Sequence, residues 1–270
     1  MARAAAPAMP LAMPADVRLM NAVSALVYAG ALLTLLAAAL LWLTRSPWFA
    51  IQSIELDGEL GRNSINTIRA NAMPRLAGNF FSVDLQAARD AFQNVPWVRR
   101  AVVRRVWPDR LAVTLEEHVP AALWRDAKRS DLLVNVQGEV FEANVGDVED
   151  EDLPVLEGPV DTAAQMLQMH RRLTGILTPL RSEIDALSLT GRGSWRAELR
   201  NGAALELGRG PAEAVLERTA RFVRTLPQVE ARWPQQPLEY ADLRHTEGYA
   251  VRLRGVTTRI PPGTKLPKRN

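Results

Sequence analysis

The chain of 270 residues has no cysteine. That absence removes thiol nucleophiles, disulfides and thiolate metal sites together, and it fits an oxidising compartment as well as the cytosol. Histidine is almost as scarce. His118, His170 and His245 lie far apart, with no His-x-x-His or His-Glu-x-x-His spacing, so no zinc site is expected. A surplus of one charge is lacking too: 33 Lys and Arg are spread among 30 Asp and Glu, for a formal net charge of +3. Without a continuous positive face, nucleic acid is not an expected partner.

Catalytic patterns also fail. Ser194 in "GRGSW" lacks the second glycine of a nucleophile elbow. "LGRGPAEAVLER", Leu207 to Arg218, runs from a strand through glycines into a helix but lacks the Lys-Ser/Thr of a phosphate loop and the full Gly-x-Gly-x-x-Gly fingerprint, so it reads as turn geometry. Glu116 and Glu117 are adjacent along a strand and point to opposite faces, a poor arrangement for flanking one substrate bond. The acidic run Asp147, Glu149, Asp150, Glu151, Asp152 lacks the spaced ligands of a calcium loop and reads as a solvated loop. No enzyme, cofactor, metal or small-molecule substrate is expected.

What the chain does have is one long uncharged run, "AVSALVYAGALLTLLAAALLWL", Ala22 to Leu43. Its length of about 33 Å as a helix matches a hydrocarbon core of about 30 Å. Its eight Leu and two Val favour insertion by about 3–6 kcal/mol. The run exceeds a signal-peptide core and lacks a small-x-small cleavage site, so it reads as an uncleaved anchor. Charge does not orient it: Arg3 and Arg18 are matched by Arg45 and Arg62. The Ala/Pro-rich start reads as a disordered tail over residues 1–21.

Beyond the anchor, Trp48 to Gly58 alternates as a strand ending at Asp57-Gly58. Asn63 or Ser64 caps an expected helix carrying Ile65, Ile68 and Ala72, and Asp84 caps another with Leu85, Ala88 and Phe92 on one face. Val98 to Val106 and Arg110 to His118 read as two strands joined through Trp107-Pro108-Asp109. Strand, helix, helix, strand, strand makes a small α/β unit over residues 47–119, with helices covering one face of a three-stranded sheet. Arg99, Arg100, Arg104, Arg105 and Arg110 cluster around its hairpin, where anionic lipid head groups or an acidic partner are the candidate contacts and a solvated sheet face with local ion pairs is the equal alternative.

Past Pro120 the pattern turns to short strands: Ala122 to Arg125, Leu132 to Val136, and Val140-Phe141. Thr162 to Leu177 has helical spacing through Met166, His170, Leu173 and Leu177. "EIDALSLTGRGSWRAELRNGAALELGRG" alternates again around Asn201-Gly202, a two-residue hairpin signal. Pro211 opens a helix with Val215, Thr219, Phe222 and Leu226 in one stripe. "YADLRHTEGYAVRLRG", Tyr240 to Gly255, reads as a last hairpin before a Pro/Lys-rich tail, residues 257–270, taken as disordered. The fold class is therefore α+β: a single transmembrane helix, a three-stranded α/β module, and a β-rich domain over 120–256 with helices on one face.

Two stretches carry a resemblance. "VPWVRRAVVRRVWPDRLAVTLEEHVPAALW" resembles the closing hairpin of a POTRA domain, with its Pro-Trp-Val entry, Trp-Pro turn and Glu-x-x-Pro exit. "GRGSWRAELRNGAALELGRG", a helix, and then the Tyr-x-Asp-Leu-Arg stretch resemble the periplasmic β domain of the FtsQ/DivIB family of bacterial cell-division proteins. With the anchor, the likeness covers nearly the whole chain in order.

The resemblance implies a non-enzymatic, single-pass inner-membrane protein at the division septum, with its N-terminus cytoplasmic and its bulk periplasmic. It implies a complex with FtsB and FtsL, and links to other divisome proteins such as FtsK, FtsW and FtsI. FtsB would add a strand to the terminal edge of the β domain, which unpaired backbone groups there make physically reasonable. On that edge Tyr249, Val251 and Leu253 would share one face, and Ala250, Arg252 and Arg254 the other.

By motif position, Arg192, Arg244, His245, Glu247, Gly248, Tyr249 and Val251 are the implied FtsB contacts. His245 stands where other members carry Tyr, which weakens that transfer and opens a pH dependence. The hairpin from Trp97 to Leu115, with Arg99, Arg100, Arg104 and Arg105, is the implied recruitment surface. The competing reading is a POTRA-bearing transport or assembly component, which would repeat the module or carry a barrel. A membrane-anchored hydrolase ranks third, lacking any triad or metal set.

Overall fold

The protein is described by a computed structural model over residues 15–46, 49–59, 61–62, 68, 79–125, 132–245 and 248–256. Helix α1 runs from Ala15 to Arg45 with apolar side chains exposed on every side. Its apolar portion, Asp16–Leu43, is long enough to cross a bilayer. It starts seven residues before the expected anchor, so residues 15–21, expected as tail, are helical: once the apolar run has nucleated, each added residue gains a hydrogen bond. Asp16 in the first turn faces the positive end of the helix dipole.

The chain divides into two compact units. In the first, strands β1 (Ser53–Glu59), β2 (Val98–Val106) and β3 (Arg110–Glu117) form a sheet in the order β1-β3-β2. Strand β1 continues one residue past the expected stop at Gly58. Helix α2, Leu85–Gln93, begins where Asp84 Oδ1 accepts the N–H groups of Gln86 and Ala87, at 2.8 and 3.1 Å. It buries Ala88, Ala91 and Phe92, while Leu111, Val113 and Leu115 of β3 are buried at alternate positions. Of the helix expected after Asn63, only Ile68 is among the described residues, helical and fully buried.

The second unit holds one nine-stranded sheet. Its first strands are β4 (Pro120–Arg125), β5 (Leu132–Asn135), β6 (Val140–Glu142) and β7 (Val155–Glu157), followed by β8 (Ile184–Leu189) and β9 (Ser194–Leu199). Strands β10 (Ala204–Arg209), β11 (Leu238–Asp242) and β12 (Ala250–Leu253) complete it in the order β12-β11-β10-β9-β8-β7-β4-β5-β6. Two of its parallel pairs, β7 with β8 and β10 with β11, are bridged by helices α3 (Ala163–Leu177) and α4 (Ala212–Glu230).

Both crossovers step in the same direction along the sheet between strands of the same orientation. The right-handed rule therefore puts both helices on one face, where they pack together. Val215, Leu216, Thr219, Phe222, Val223 and Leu226 of α4 are buried there, each large apolar side chain contributing about 1.5–3 kcal/mol.

Two local readings are corrected. The loop after β9 is not a two-residue turn: Leu199 and Ala203 face each other through Leu199 N–H to Ala203 O at 2.8 Å, leaving Arg200, Asn201 and Gly202 between them. Gly202 takes the left-handed conformation (φ 85°) that ends such three-residue loops.

The acidic run is also not simply a solvated loop. It lies on a 3₁₀ turn, Val145–Glu151, capped by Asn144, and Trp97 Nε1 donates to Asp147 Oδ2 at 3.0 Å. The guanidinium of Arg62, 4.4 Å from the Trp97 ring centre, donates to the Asp147 carbonyl and pairs with Glu151, and Arg200 pairs with Asp152. Glu151 and Asp152 thus pair with cations distant in the chain, while all five carboxylate residues of the run stay exposed.

Candidate partner-binding edge

Strand β11 is built from alternation with one irregularity. Leu238 faces Leu253 and Tyr240 faces Arg252, so Glu239 is an extra residue on its strand. The bulge keeps Leu238 in the core while Tyr240 turns to the other face. Arg252, across from Tyr240, lies over its ring at 5.6 Å and pairs with Glu239 at 3.2 Å.

Strand β12 ends the sheet, and among the described residues its one neighbouring strand is β11. Arg254 donates its backbone N–H to the Pro237 carbonyl at 2.9 Å. Backbone direction alternates along a strand, so Arg252 and Ala250 also face β11, and Val251 and Leu253 turn their N–H groups outward. The Leu253 carbonyl accepts from Val256 N–H at 3.2 Å. The outward row is therefore short: both backbone groups of Val251 and the N–H of Leu253.

Side chains on β12 divide as the alternation requires. Tyr249, Val251 and Leu253 turn inward: Tyr249 meets Phe222 edge to face at 5.0 Å, and its hydroxyl and that of Thr225 are 2.8 Å apart. Ala250 and Arg252 are exposed. Val251 can thus offer a partner its backbone groups, whereas the Tyr249 side chain holds the strand to α4 and that of Val251 packs against the core.

The end of the sheet beside this edge carries the charged residues. The Asp242 carboxylate, 8% exposed, accepts three bonds from Arg244: its backbone N–H and Nε at 3.0 and 2.9 Å on Oδ1, and Nη2 at 2.6 Å on Oδ2. That guanidinium holds the Asp242 carboxyl down to about 2, and the carboxylate in turn raises the Arg244 pKa. The Arg244 side chain remains 58% exposed, so it is fixed in direction yet retains donors toward solvent. Arg218 of α4 closes the neighbouring turn by donating to the Leu207 and Arg209 carbonyls, at 2.9 and 2.7 Å.

Register brings other expected contacts to the same end. Ser194 pairs with Arg209 and Glu206 with Asp242, so the exposed turn holding Arg192 and the segment Arg244-His245 lie at one end of the sheet. Gly248 is exposed beside them, and Glu247 lies outside the described residues. Asp242 and Gly208 escaped the sequence reading. The signal for Asp242 was the Asp-x-Arg spacing, which puts both side chains on one side of an extended backbone.

The expected basic cluster separates into different environments. Arg99 pairs with Glu116 at 2.5 Å and Glu139 at 2.7 Å, its side chain only 16% exposed. Arg105 donates to the Val83 carbonyl at 2.7 Å and Arg110 pairs with Glu55 at 2.5 Å, while Arg100 and Arg104 are exposed. Among the described residues no group of three or more His, Asp or Glu is placed to hold a metal.

Comparison with known proteins bears on both units. The model of the FtsQ-type POTRA domain matches residues 49–118, and that of the C-terminal region of the cell division protein FtsQ/DivIB matches residues 122–244. The cell division protein FtsQ of Burkholderia pseudomallei is 41% identical over 242 residues, spanning 89% of this chain and 94% of that protein. Its counterpart in Thiomonas arsenitoxydans is 39% identical over 248 residues, or 92% of this chain and 91% of that protein. Both domain types in the expected order, relatives that span nearly their full lengths, and an apolar helix that fits a single-pass membrane protein agree: the chain belongs to the FtsQ/DivIB family of cell-division proteins.

Proposed function

We propose that this chain is a non-enzymatic scaffold of the division machinery in the inner membrane, with its N-terminus in the cytoplasm and its bulk in the periplasm. It links early and late division proteins at the septum, and its β12 edge takes up an extended segment of FtsB within a complex that includes FtsL. Contacts with FtsK, FtsW and FtsI run through other surfaces, the exposed Arg100 and Arg104 of β2 among them.

The observation that carries this reading is the outward row of Val251 and Leu253 backbone groups at the end of the sheet, flanked by an arginine held in place by Asp242. A guest strand satisfies those groups, and Arg244 is aimed to receive an acidic or carbonyl acceptor at its end.

The test is a titration of the detergent-solubilised full chain with FtsB. Val251→Pro removes an outward N–H that β11 does not use, a place where edge strands accept proline. The variant keeps its melting transition and loses at least tenfold in affinity. Undiminished affinity with the fold retained would remove β12 from the interface.

A further inference from the structure

Trp107 is 72% exposed at the tip of the β2–β3 hairpin, an unusual position for the largest apolar side chain, and Phe81 is 46% exposed. Three contacts tie both to the place where the chain leaves α1. Gln52 N–H donates to the Asp109 carbonyl at 2.9 Å, Phe80 N–H to the Phe49 carbonyl at 2.8 Å, and Arg105 Nη2 to the Val83 carbonyl at 2.7 Å. Phe81 also meets Phe49 edge to face at 5.0 Å.

Strand direction gives the same placement. Gln52 meets Asp109, Glu55 pairs with Arg110, and a Cβ on Gly58 would fall 2.1 Å from the Leu115 carbonyl oxygen. These contacts advance together along both strands, so β1 and β3 run parallel and the hairpin tip lies at the start of β1. Gln52 lies only seven Cα steps beyond Arg45, the last residue of α1, a reach of at most about 25 Å. Hydrogen bonds from Ser46 N–H to Leu43 O and from Phe49 N–H to Ser46 O shorten it further.

We infer that Trp107 and Phe81, flanked by Arg104 and Arg105, rest in the head-group layer of the bilayer that α1 enters, favouring anionic phospholipid. The inference rests on α1 being a membrane anchor. Indole rings prefer the boundary between hydrocarbon and water, and guanidinium groups beside them meet phosphate. The occupant follows from chain continuity: the anchor ends in Trp42 and Arg45 and delivers this end of the sheet to the membrane surface. The contact fixes the tilt of the first unit on the membrane, which a single point of attachment would leave free.

The test uses the wild-type full chain in nanodiscs of phosphatidylcholine, with or without phosphatidylglycerol, and hydroxyl-radical footprinting read by mass spectrometry. Trp233, 48% exposed in the second unit, is the water-facing reference, and Trp42 reports on the anchor. Trp107 and Phe81 are oxidised several-fold more slowly than Trp233, and Trp107 is protected further by phosphatidylglycerol. Fast oxidation of Trp107 with Trp42 protected overturns the contact and leaves the anchor standing. Fast oxidation of Trp42 overturns the anchor and the contact with it. Lipids brominated near the head group separate bilayer from protein as the cover: they quench wild type more than Trp107→Ser, and equal quenching overturns the inference.

Discussion

Trp97 donates its indole N–H to Asp147 at 3.0 Å, while the equally buried Trp124 has no partner for its N–H among the described residues. The pair makes an internal comparison. Phenylalanine at either position removes similar volume, but at position 97 it also removes the donor that Asp147 Oδ2 accepts from. Trp97→Phe costs about 1 kcal/mol more than Trp124→Phe, the net value of one hydrogen bond to a charged group being about 1.5–3 kcal/mol at most. Urea unfolding of the full chain followed by near-ultraviolet circular dichroism reads the difference; equal losses would mean the Trp97 bond is worth nothing net.

Acid sensitivity follows from two carboxylates. Arg244 holds Asp242 down to about 2, and Arg99, then Asn135, hold Glu139 down to about 2. Both folded values lie below those of an unfolded chain, about 4. Their stabilisation is therefore complete above pH of about 4 and is lost as pH falls toward about 2, where the folded carboxylates protonate. Asp242→Asn and Glu139→Gln each flatten the decline of the urea midpoint across that window, and the double variant flattens it most. An unchanged slope would assign acid unfolding to other groups.

His118 titrates in a different window. Its ring stacks on Phe141 at 4.0 Å, and Asn135 Nδ2 faces its Nδ1 at 2.9 Å. The amide is fixed because Asn135 Oδ1 accepts from Gln137 and Glu139 N–H at 3.0 and 2.9 Å. Nδ1 must therefore accept, and a protonated ring would set donor against donor.

Burial pushes the imidazole below its ordinary value, Glu139 and Glu116 oppose that shift, and Arg99 adds to it. Stability is full above about pH 6.5 and declines as pH falls below it, because the unfolded chain takes up the proton first. His170, lowered mainly by burial, acts in the same direction. His118→Phe removes part of the decline between neutral and mildly acid pH and leaves the part due to His170; a decline of full size would exclude His118.

Local chemistry was legible where a side-chain period decides it. The Asp84 cap, the α4 stripe of Val215, Thr219, Phe222 and Leu226, and the inward Tyr249, Val251 and Leu253 all follow from spacing. Pairing was not legible, because alternation tells a strand which face to bury and not which strand to join. That β10 runs parallel to β11, and β4 to β7, is decided by helix length and by which edges remain open after the hairpins form. The Glu239 bulge was hidden for a related reason: one extra residue shifts the register only relative to its partner, Leu253 against Leu238. Likewise the partners of Asp147, Glu151 and Asp152 in the exposed acidic run, Trp97, Arg62 and Arg200, are distant in sequence and reach it only on folding.

The last expectation concerns how Arg244 is aimed. Gly208 has φ +81°, and a Cβ there would lie 3.2 Å from Arg244 Cγ and 3.4 Å from both Arg244 Cα and Arg218 Nη2. Alanine at 208 costs about 1–2 kcal/mol for the left-handed backbone alone. It also presses on Arg244, whose side chain must give by a few tenths of an ångström and so shifts its guanidinium on Asp242. If Arg244 contacts FtsB, then Gly208→Ala and Arg244→Ala weaken FtsB binding by similar factors, and the double variant loses little more than Arg244→Ala, because both act through one side chain. Isothermal titration of the four proteins completes the cycle. Additive losses would show that Gly208 shapes the edge by a route independent of Arg244, and no loss from Arg244→Ala would take that arginine out of the interface altogether.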